Sequence, residues 1–508
     1  MKKIFIFLIL ALAIISISAV SAGDNITDGG DVVLMEKNSV DVIQEGNESS
    51  CGEDDSDEEV SPEESTIKAG ATTGYEKFST KFTVTLTSND TALASKPVFI
   101  KINDVTYNRV TDQQGQASVS VKLPKGTYVA SFGYGGDNMT APSNGTAKIT
   151  VKSPIKTKFQ IVDKYVNYRQ GLKSVFQVRL LTTGGSAVKN QAVTIKAGGK
   201  TYSTKTNSRG YATVFLSLKK GTRKVTYSFK SSNPYLSSSG STKLKVKGSI
   251  GKGNGYWLWP EHMKKVSFKT LKKTGTKHIF LQASAFNYYG KSGVTSWIAK
   301  AKKYGIKVHI WMQIFYNGKW IKPVNKDGSL KYSYMNKKVT QAKKYAKIRG
   351  VAGIHFDYVR FGGTAYNYET STKAINYFIK KACVEVRKVS PNCILSASVM
   401  PEPGMVDYYY GQNVEYMSKY LDVITPMAYK GNYGKNTEWI TYVTAAFKLE
   451  SNGAQIWTGL QTYKSDTNPA KLTSSTLLKD AKAAMSGGAK GVVLFRIGLT
   501  KYLNFNKV

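Results

Sequence analysis

Between Gly255 and Phe495 short apolar runs alternate with segments of helical period, and this alternation restricts the possible folds more than any other feature of the chain. Apolar runs of four to eight residues bounded by Gly, Pro or Asn read as buried strands, and apolar residues recurring every three to four positions read as helices. Strands are expected at 255–259, 278–281, 306–313, 352–357, 394–399, 422–428, 455–460 and 491–495. Helices fall between them, at 264–273, 294–304, 336–348, 370–389, 413–420, 437–450 and 473–486. Eight strands and seven helices in about 260 residues fit an α/β (β/α)8 barrel over 249–508. A doubly wound sheet would have about five or six strands and a glycine-rich phosphate turn after the first. Here the first strand runs Tyr256-Trp257-Leu258-Trp259 into Pro260.

A repeat precedes the barrel. Residues 97–152 align with 192–247 without a gap at a shift of 95, matching Ile100 to Ile195, Tyr107 to Tyr202, Gly115 to Gly210 and Gly126 to Gly221. Within each copy, runs such as Phe82 to Leu86 alternate with period two, and glycine-rich turns recur about every ten residues. That pattern predicts two all-β immunoglobulin-like sandwiches, at 71–153 and 154–248, making the chain multidomain. The repeats resemble those of microbial, notably archaeal, adhesin-like surface proteins. All five Asn-x-Ser/Thr sequons, at Asn25, Asn47, Asn89, Asn138 and Asn144, precede residue 150.

The first 22 residues have the charged, apolar and small-residue order of a secretory signal. No later segment offers the roughly 20 apolar residues needed to span a bilayer. A secreted, extracellular or wall-associated chain is therefore expected. Residues 23–70 read as an acidic disordered leader, because fifteen acids and one lysine between 24 and 64 leave little apolar area to bury. The remainder, 65–508, carries 69 basic and 19 acidic residues, a net charge of +50. Lysines dominate and are scattered, with no basic run and no zinc spacing, which argues against specific nucleic-acid recognition. An anionic wall polymer is the partner this surface suits. Cys51, Cys383 and Cys393 are too few for a disulfide framework, although a Cys383–Cys393 bridge is geometrically conceivable.

Barrel enzymes place their chemistry at the carboxyl ends of the strands. Of thirteen acids after residue 248, those on helices, Asp480 among them, read as caps or solvated groups, and Asp422 opens a strand at the opposite face. Glu261, Asp327, Asp357, Glu402, Asp407 and Asp466 remain. Asp357 ends strand four, where alternation puts Gly353, His355 and Asp357 on the inner face and Ile354, Phe356 and Tyr358 on the outer. Glu402 follows strand five and is the expected second carboxylate, with Asp407 and Glu261 as competitors. Trp259, Trp311, Tyr358, Tyr429, Tyr433 and Phe495 crowd the same rim, and flat rings beside carboxylates suit sugar faces. Four histidines without the usual two-His spacings, no Gly-x-Ser-x-Gly elbow and no Cys-x-x-Cys pair leave no metal, cofactor or thiol chemistry to assign. His309 and His355 read as packed core histidines.

The runs Phe356-Asp-Tyr-Val-Arg-Phe361, Ser396-Ala-Ser-Val399, Tyr410-Gly-Gln-Asn413 and Leu421-Asp-Val-Ile-Thr-Pro-Met-Ala-Tyr429 resemble the motifs of a glycoside-hydrolase (β/α)8 family found in exported bacterial and archaeal proteins. The resemblance implies polysaccharide hydrolysis with Asp357 as a catalytic acid. This chain has Asn413 where that family's pattern carries Asp. Tyr256, Trp259, Trp311, His355, Tyr358, Arg360, Gln412, Tyr429, Phe495 and Arg496 complete the expected substrate-contacting set. The chitinase pattern fails here, since His355 and Val359 stand where its second acid and catalytic Glu belong. The expected activity is hydrolysis of a cell-wall or extracellular polysaccharide by two carboxylates, Asp357 and Glu402. A non-catalytic, carbohydrate-binding adhesin is the alternative.

Overall fold

Alternating burial in the first half of the chain gives way to continuous burial in the second, and the architecture changes with it. A computed structural model describes residues 61–500 and 502–508. The expected signal segment, Asn25, Asn47, Cys51 and most of the acidic leader lie outside the described residues.

The duplication is visible strand by strand. Pro97–Ile102, Val105–Val110, Gln116–Val121 and Gly126–Tyr134 recur as Ala192–Ala197, Lys200–Lys205, Tyr211–Leu216 and Gly221–Phe229, each shifted by 95. In each copy two sheets close over one core. Phe82, Ile100 and Phe132 fill the first core and Val178, Ile195 and Val225 the second. Gly115 and Gly210 coincide because both adopt positive φ, and a Cβ would lie 2.4 Å from the Leu86 carbonyl oxygen and 2.6 Å from that of Leu180. The first sandwich begins earlier than residue 71. Strand Ser65–Lys68 pairs antiparallel with Thr80–Ser88 and buries Ile67 against the core. Its Ser-Thr-Ile-Lys alternation is hidden in the sequence by the acids directly before it.

Nine parallel segments form the second half: Gly255–Leu258, His278–Gln282, Lys307–Gln313, Val351–Asp357, Ile394–Val399, Val423–Pro426, Gln455–Ile456, Thr458–Gln461 and Val492–Phe495. Gln455–Ile456 and Thr458–Gln461 are one run interrupted at Trp457. The first piece pairs with strand six and the second with strand eight, which returns to strand one. The ring therefore counts eight strands, numbered one to eight in chain order. Strands in such a ring are covered on both faces, which is why they read as unbroken apolar runs. Trp257, Phe280, Trp311, Trp457 and Val493 pack inside it, while Leu281, Ile310 and Phe356 pack outward against the helices. The helix expected at 413–420 is the short Val414–Met417, preceded by an unexpected one at Val406–Tyr410, and that expected at 294–304 starts earlier, as Ala285–Lys303 with a break at Gly290. Cys383 and Cys393 are separate, buried thiols. Among the described residues no helix is long and apolar enough to cross a membrane.

The second sandwich is fastened to the amino-terminal end of the barrel. Arg169 Nε and Asn167 Nδ2 each donate to Asp422 Oδ1 at 2.7 Å, and Lys380 Nζ donates to Asp163 Oδ2 at 2.8 Å. The Asn167 amide donates to the Lys419 carbonyl at 2.8 Å, and the Tyr420 hydroxyl donates to Asp163. The two copies should therefore behave differently when cut out. Residues 62–153 alone should fold as a β-rich unit, whereas 154–248 alone loses these partners and should melt below its transition in the full chain. Circular dichroism melts of both fragments check this, and equal stability of 154–248 in both settings would show the fastening to be energetically idle.

Candidate active site

At the carboxyl end of the barrel the strands open into a cleft of about 410 Å³. Asp357, the last residue of strand four, points into it and is only 7 % exposed. Trp311 Nε1 donates to Asp357 Oδ2 at 2.9 Å, and the Tyr358 amide donates to Oδ1 at 2.8 Å. Burial pushes the Asp357 carboxyl above the ordinary aspartate range, against the pull of these two donors and of the Arg360 charge. A carboxylic acid that keeps its proton to higher pH is suited to general acid work.

Tyr358 does not obey the alternation that would send it outward. Its φ of 50° is left-handed, an uncommon conformation for a bulky residue and one that clusters at functional sites. The chain thus turns at the end of strand four so that consecutive side chains, Asp357 and Tyr358, both line the cleft. Tyr358 stacks on Tyr316 at 4.8 Å. The Arg360 guanidinium lies 4.6 Å from the Trp320 ring centroid and 5.5 Å from that of Tyr358. Trp259 meets Trp311 edge-on at 5.6 Å, and Tyr429 stacks on Phe495 at 5.6 Å. Trp259, Trp311, Tyr358, Tyr429 and Phe495 form the cleft walls together with Tyr433 and Tyr463.

The cleft holds a second carboxylate, and it is Asp466. This residue sits at the turn of a hairpin, Tyr463–Ser465 and Asn468–Lys471, inserted after strand seven. Tyr463 Oη donates to its Oδ1 at 2.7 Å and Asn432 Nδ2 to its Oδ2 at 2.9 Å. Glu402 stands behind the rim instead. Its Oε1 accepts from the Tyr433 hydroxyl at 2.9 Å and the Tyr410 hydroxyl at 3.2 Å, while its buried Oε2 has no hydrogen-bond partner among the described residues. Asp407 and Glu261 are exposed and outside the cleft, as is Asp327 in its own hairpin.

Four of the expected substrate contacts lie elsewhere. Tyr256 faces the outer layer, where its hydroxyl accepts from the Leu503 amide at 2.8 Å and its ring meets Tyr502 and Phe505. Alternation gives the inner face of strand one to Trp257 and Trp259, so Tyr256 must point out. His355 is fully buried one layer below Asp357, with Nδ1 on Ser396 Oγ and Nε2 on Ser398 Oγ. Gln412 is a buried brace, its Nε2 donating to the Ser398 carbonyl at 3.1 Å and its Oε1 accepting from the Met400 amide at 3.1 Å. Arg496 stands behind the wall with its guanidinium over Trp259. Asn413 caps the helix Val414–Met417 by accepting from the Tyr416 amide at 2.8 Å. Aspartate would cap it equally well, so the departure removes nothing from the cleft. Asp480 is no solvated helix acid either: it is 2 % exposed and paired with Lys430 at 2.6 Å.

Gln313 and Ser398 also line the cleft, and both were findable, since each stands two residues beyond an inward position at a strand end. Asn432 and Asp466 carry no periodic signal. Among the described residues no group of three or more His, Cys, Asp or Glu is placed to hold a metal ion.

Residues 296–489 match the family model DUF4015, described as "Putative glycosyl hydrolase domain". No curated protein matches the chain. Solved structures similar to it include a β-galactosidase from the psychrophilic Marinomonas ef1, at 13 % identity and TM-score 0.38, covering 48 % of this chain and 53 % of that one. The chain thus spans about half the length of that enzyme. Others are the Bacillus cereus spore cortex-lytic enzyme SleL, at 13 % identity, TM-score 0.37 and coverage of 52 % and 75 %, and a chitinase from Cycas revoluta, at 9 % identity, TM-score 0.38 and coverage of 48 % and 95 %. Residues 296–489 of the barrel are thus similar to a family described as a glycosyl hydrolase domain.

Proposed function

We propose that the chain is an exported glycoside hydrolase that cuts a cell-wall or extracellular polysaccharide at the carboxyl end of its barrel, behind two immunoglobulin-like repeats. The observation that carries this reading is Asp357: a nearly buried carboxyl, held by the Trp311 indole N–H and the Tyr358 backbone N–H, facing a cleft walled by tyrosines and tryptophans. Asp357 protonates the departing glycosidic oxygen as the oxocarbenium-like transition state develops. Asp466 is the partner carboxylate that the cleft geometry favours, acting on water or on the sugar itself. Glu402 is the partner that position in the sequence favours, and its two tyrosine hydroxyls hold it one residue layer back.

Arg360 tunes the acid by its charge, and Trp259, Trp311, Tyr358 and Tyr429 offer faces for sugar rings. The net charge of the chain from residue 65 onward retains the enzyme on an anionic wall polymer. Incubating the protein with a panel of wall polysaccharides and assaying new reducing ends tests the proposal. Appearance of reducing ends that Asp357→Asn abolishes supports it. Binding of glycans on an array without any cleavage would replace it with the adhesin reading.

A further inference from the structure

A second groove, of about 670 Å³, lies away from the catalytic cleft, and none of its lining residues is shared with it. It is composite. One wall is the helix Ser371–Val389, another the first turn of Tyr332–Ala346, and a third is Tyr165 of the second sandwich. On the long helix, Lys373, Tyr377, Lys381, Val384 and Lys388 recur every three to four residues, so one face carries three lysines with an aromatic ring and a valine between them.

An outer helix ordinarily shows water a mixture of both charges. Here the one carboxylate in the lining, Glu385, is already paired, with Lys388 at 2.6 Å and Lys343 at 3.3 Å. Lys380 is held by Asp163. Lys373 and Lys381 are exposed and make no ion pair among the described residues. Tyr165 and Tyr332 are 44 % and 47 % exposed; Tyr332 meets Tyr377 edge-on at 4.8 Å, and Lys164 Nζ and Lys380 Nζ lie 5.4 and 5.9 Å from the Tyr165 ring centroid, so the groove combines part-exposed rings with cations. Asn376, in the same lining, has a side-chain oxygen buried without a hydrogen-bond partner.

From this juxtaposition we infer that the groove is a second, non-catalytic binding site for an acidic polysaccharide. The tyrosine rings receive the C–H faces of sugar rings, and the two lysine ammonium groups receive ring carboxylates. A polyanion without flat faces would use the lysines and leave the rings idle. The inference concerns binding alone and stands whether or not the barrel cleaves anything.

The test uses the full chain and an oligogalacturonate as probe, by calorimetry at 0.1 M salt, with its neutral methyl ester beside it. Tyr165→Ala with Tyr332→Ala, and separately Lys373→Gln with Lys381→Gln, should each weaken oligogalacturonate binding at least about fivefold, and the ester should bind more weakly than the acid. Lys302→Gln with Lys303→Gln removes the same charge from exposed positions on the helix Ala285–Lys303, and should leave binding unchanged. The proposal is overturned if this control pair weakens binding as much as the groove pair, because net charge alone would then hold the ligand. It is equally overturned if the tyrosine variant binds like wild type, if polyglutamate competes as well as oligogalacturonate, or if wild type does not bind the acid at all. All six exchanged side chains are surface groups, and unchanged melting temperatures would confirm that the variants are folded.

Discussion

Asp357→Asn is expected to cut turnover by about 10²-fold or more on any polysaccharide the wild type hydrolyses, the usual worth of general acid–base catalysis. The amide keeps the size of the side chain, and its one oxygen can still accept from Trp311 Nε1 or from the Tyr358 amide, which bond to different oxygens of the carboxylate, so the residue stays in place and substrate affinity should survive. A kcat loss with little change in KM is the signature. The pH profile adds a second readout. Because burial raises the Asp357 pKa, the protonated acid persists above the ordinary aspartate range, and kcat/KM should decline as pH rises through that raised value. The same shift makes a stability statement. A carboxyl whose folded pKa exceeds its unfolded one begins to cost the fold stability as pH rises through the unfolded value, and the cost is complete above the folded value. At neutral pH Asp357→Asn removes that cost and gives up one hydrogen bond, so it should melt close to wild type. Lost turnover in a protein of similar stability separates catalysis from folding. Asp466→Asn and Glu402→Gln, run in parallel, identify the partner, which will share the kcat loss. Glu438 is exposed and makes the neutral control that Asp480, buried against Lys430, cannot be. Wild-type turnover in Asp357→Asn would end the acid assignment.

The barrel was legible in the sequence because two periodicities coincide there: runs buried on both faces mark the strands, and the spacing between them suits one helix each. Site residues were legible to the extent that strand parity governs them. Parity and position put Asp357, Trp259 and Trp311 at the inner rim, and parity alone would have placed Tyr256 outside. Tyr358 escaped parity through one left-handed residue, a backbone property that no hydrophobic pattern encodes. Motif resemblance marked His355 and Gln412 without distinguishing side chains that touch the cleft from those that brace it; both are buried under Ser398 and the loop after strand five. Asp466 was visible only as one of several acids on the catalytic face. Its hairpin, Tyr463 to Lys471, interrupts the strand–helix rhythm, and turn residues such as Asn468-Pro469 announce a loop without saying where its tip returns.

The least legible contact is expected to have the largest effect on stability. Asp422 opens strand six at the end of the barrel remote from the cleft, and its partner Arg169 is 253 residues earlier in the chain. Sequence alone excludes Asp422 from catalysis by its face, but supplies nothing to pair it with. In the structure it is fully buried, and its four hydrogen bonds of 3.0 Å or less come from Arg169, Asn167, Arg387 and the Leu395 amide. Burial by itself would raise its pKa, yet the surrounding Arg387, Arg169 and Lys247 charges outweigh that and hold the carboxyl well below the ordinary range. Asp422→Ala strands two guanidinium groups at a buried seam, and removing one member of such a cluster typically costs about 3–5 kcal/mol. The expected result is a large fall in melting temperature together with loosening of the second sandwich, read as new proteolytic cleavage in the connection at 248–254. The pH sign follows from the depressed pKa: the contribution is complete above the unfolded carboxyl pKa near 4 and is lost as pH falls through the lower folded value. Wild type should therefore lose stability in acid more steeply than Asp422→Asn, which has no charge to neutralise. Equal acid sensitivity in the two proteins, or an unaltered cleavage pattern in Asp422→Ala, would show that the sandwich is held by its neighbouring backbone and Asp163 contacts instead.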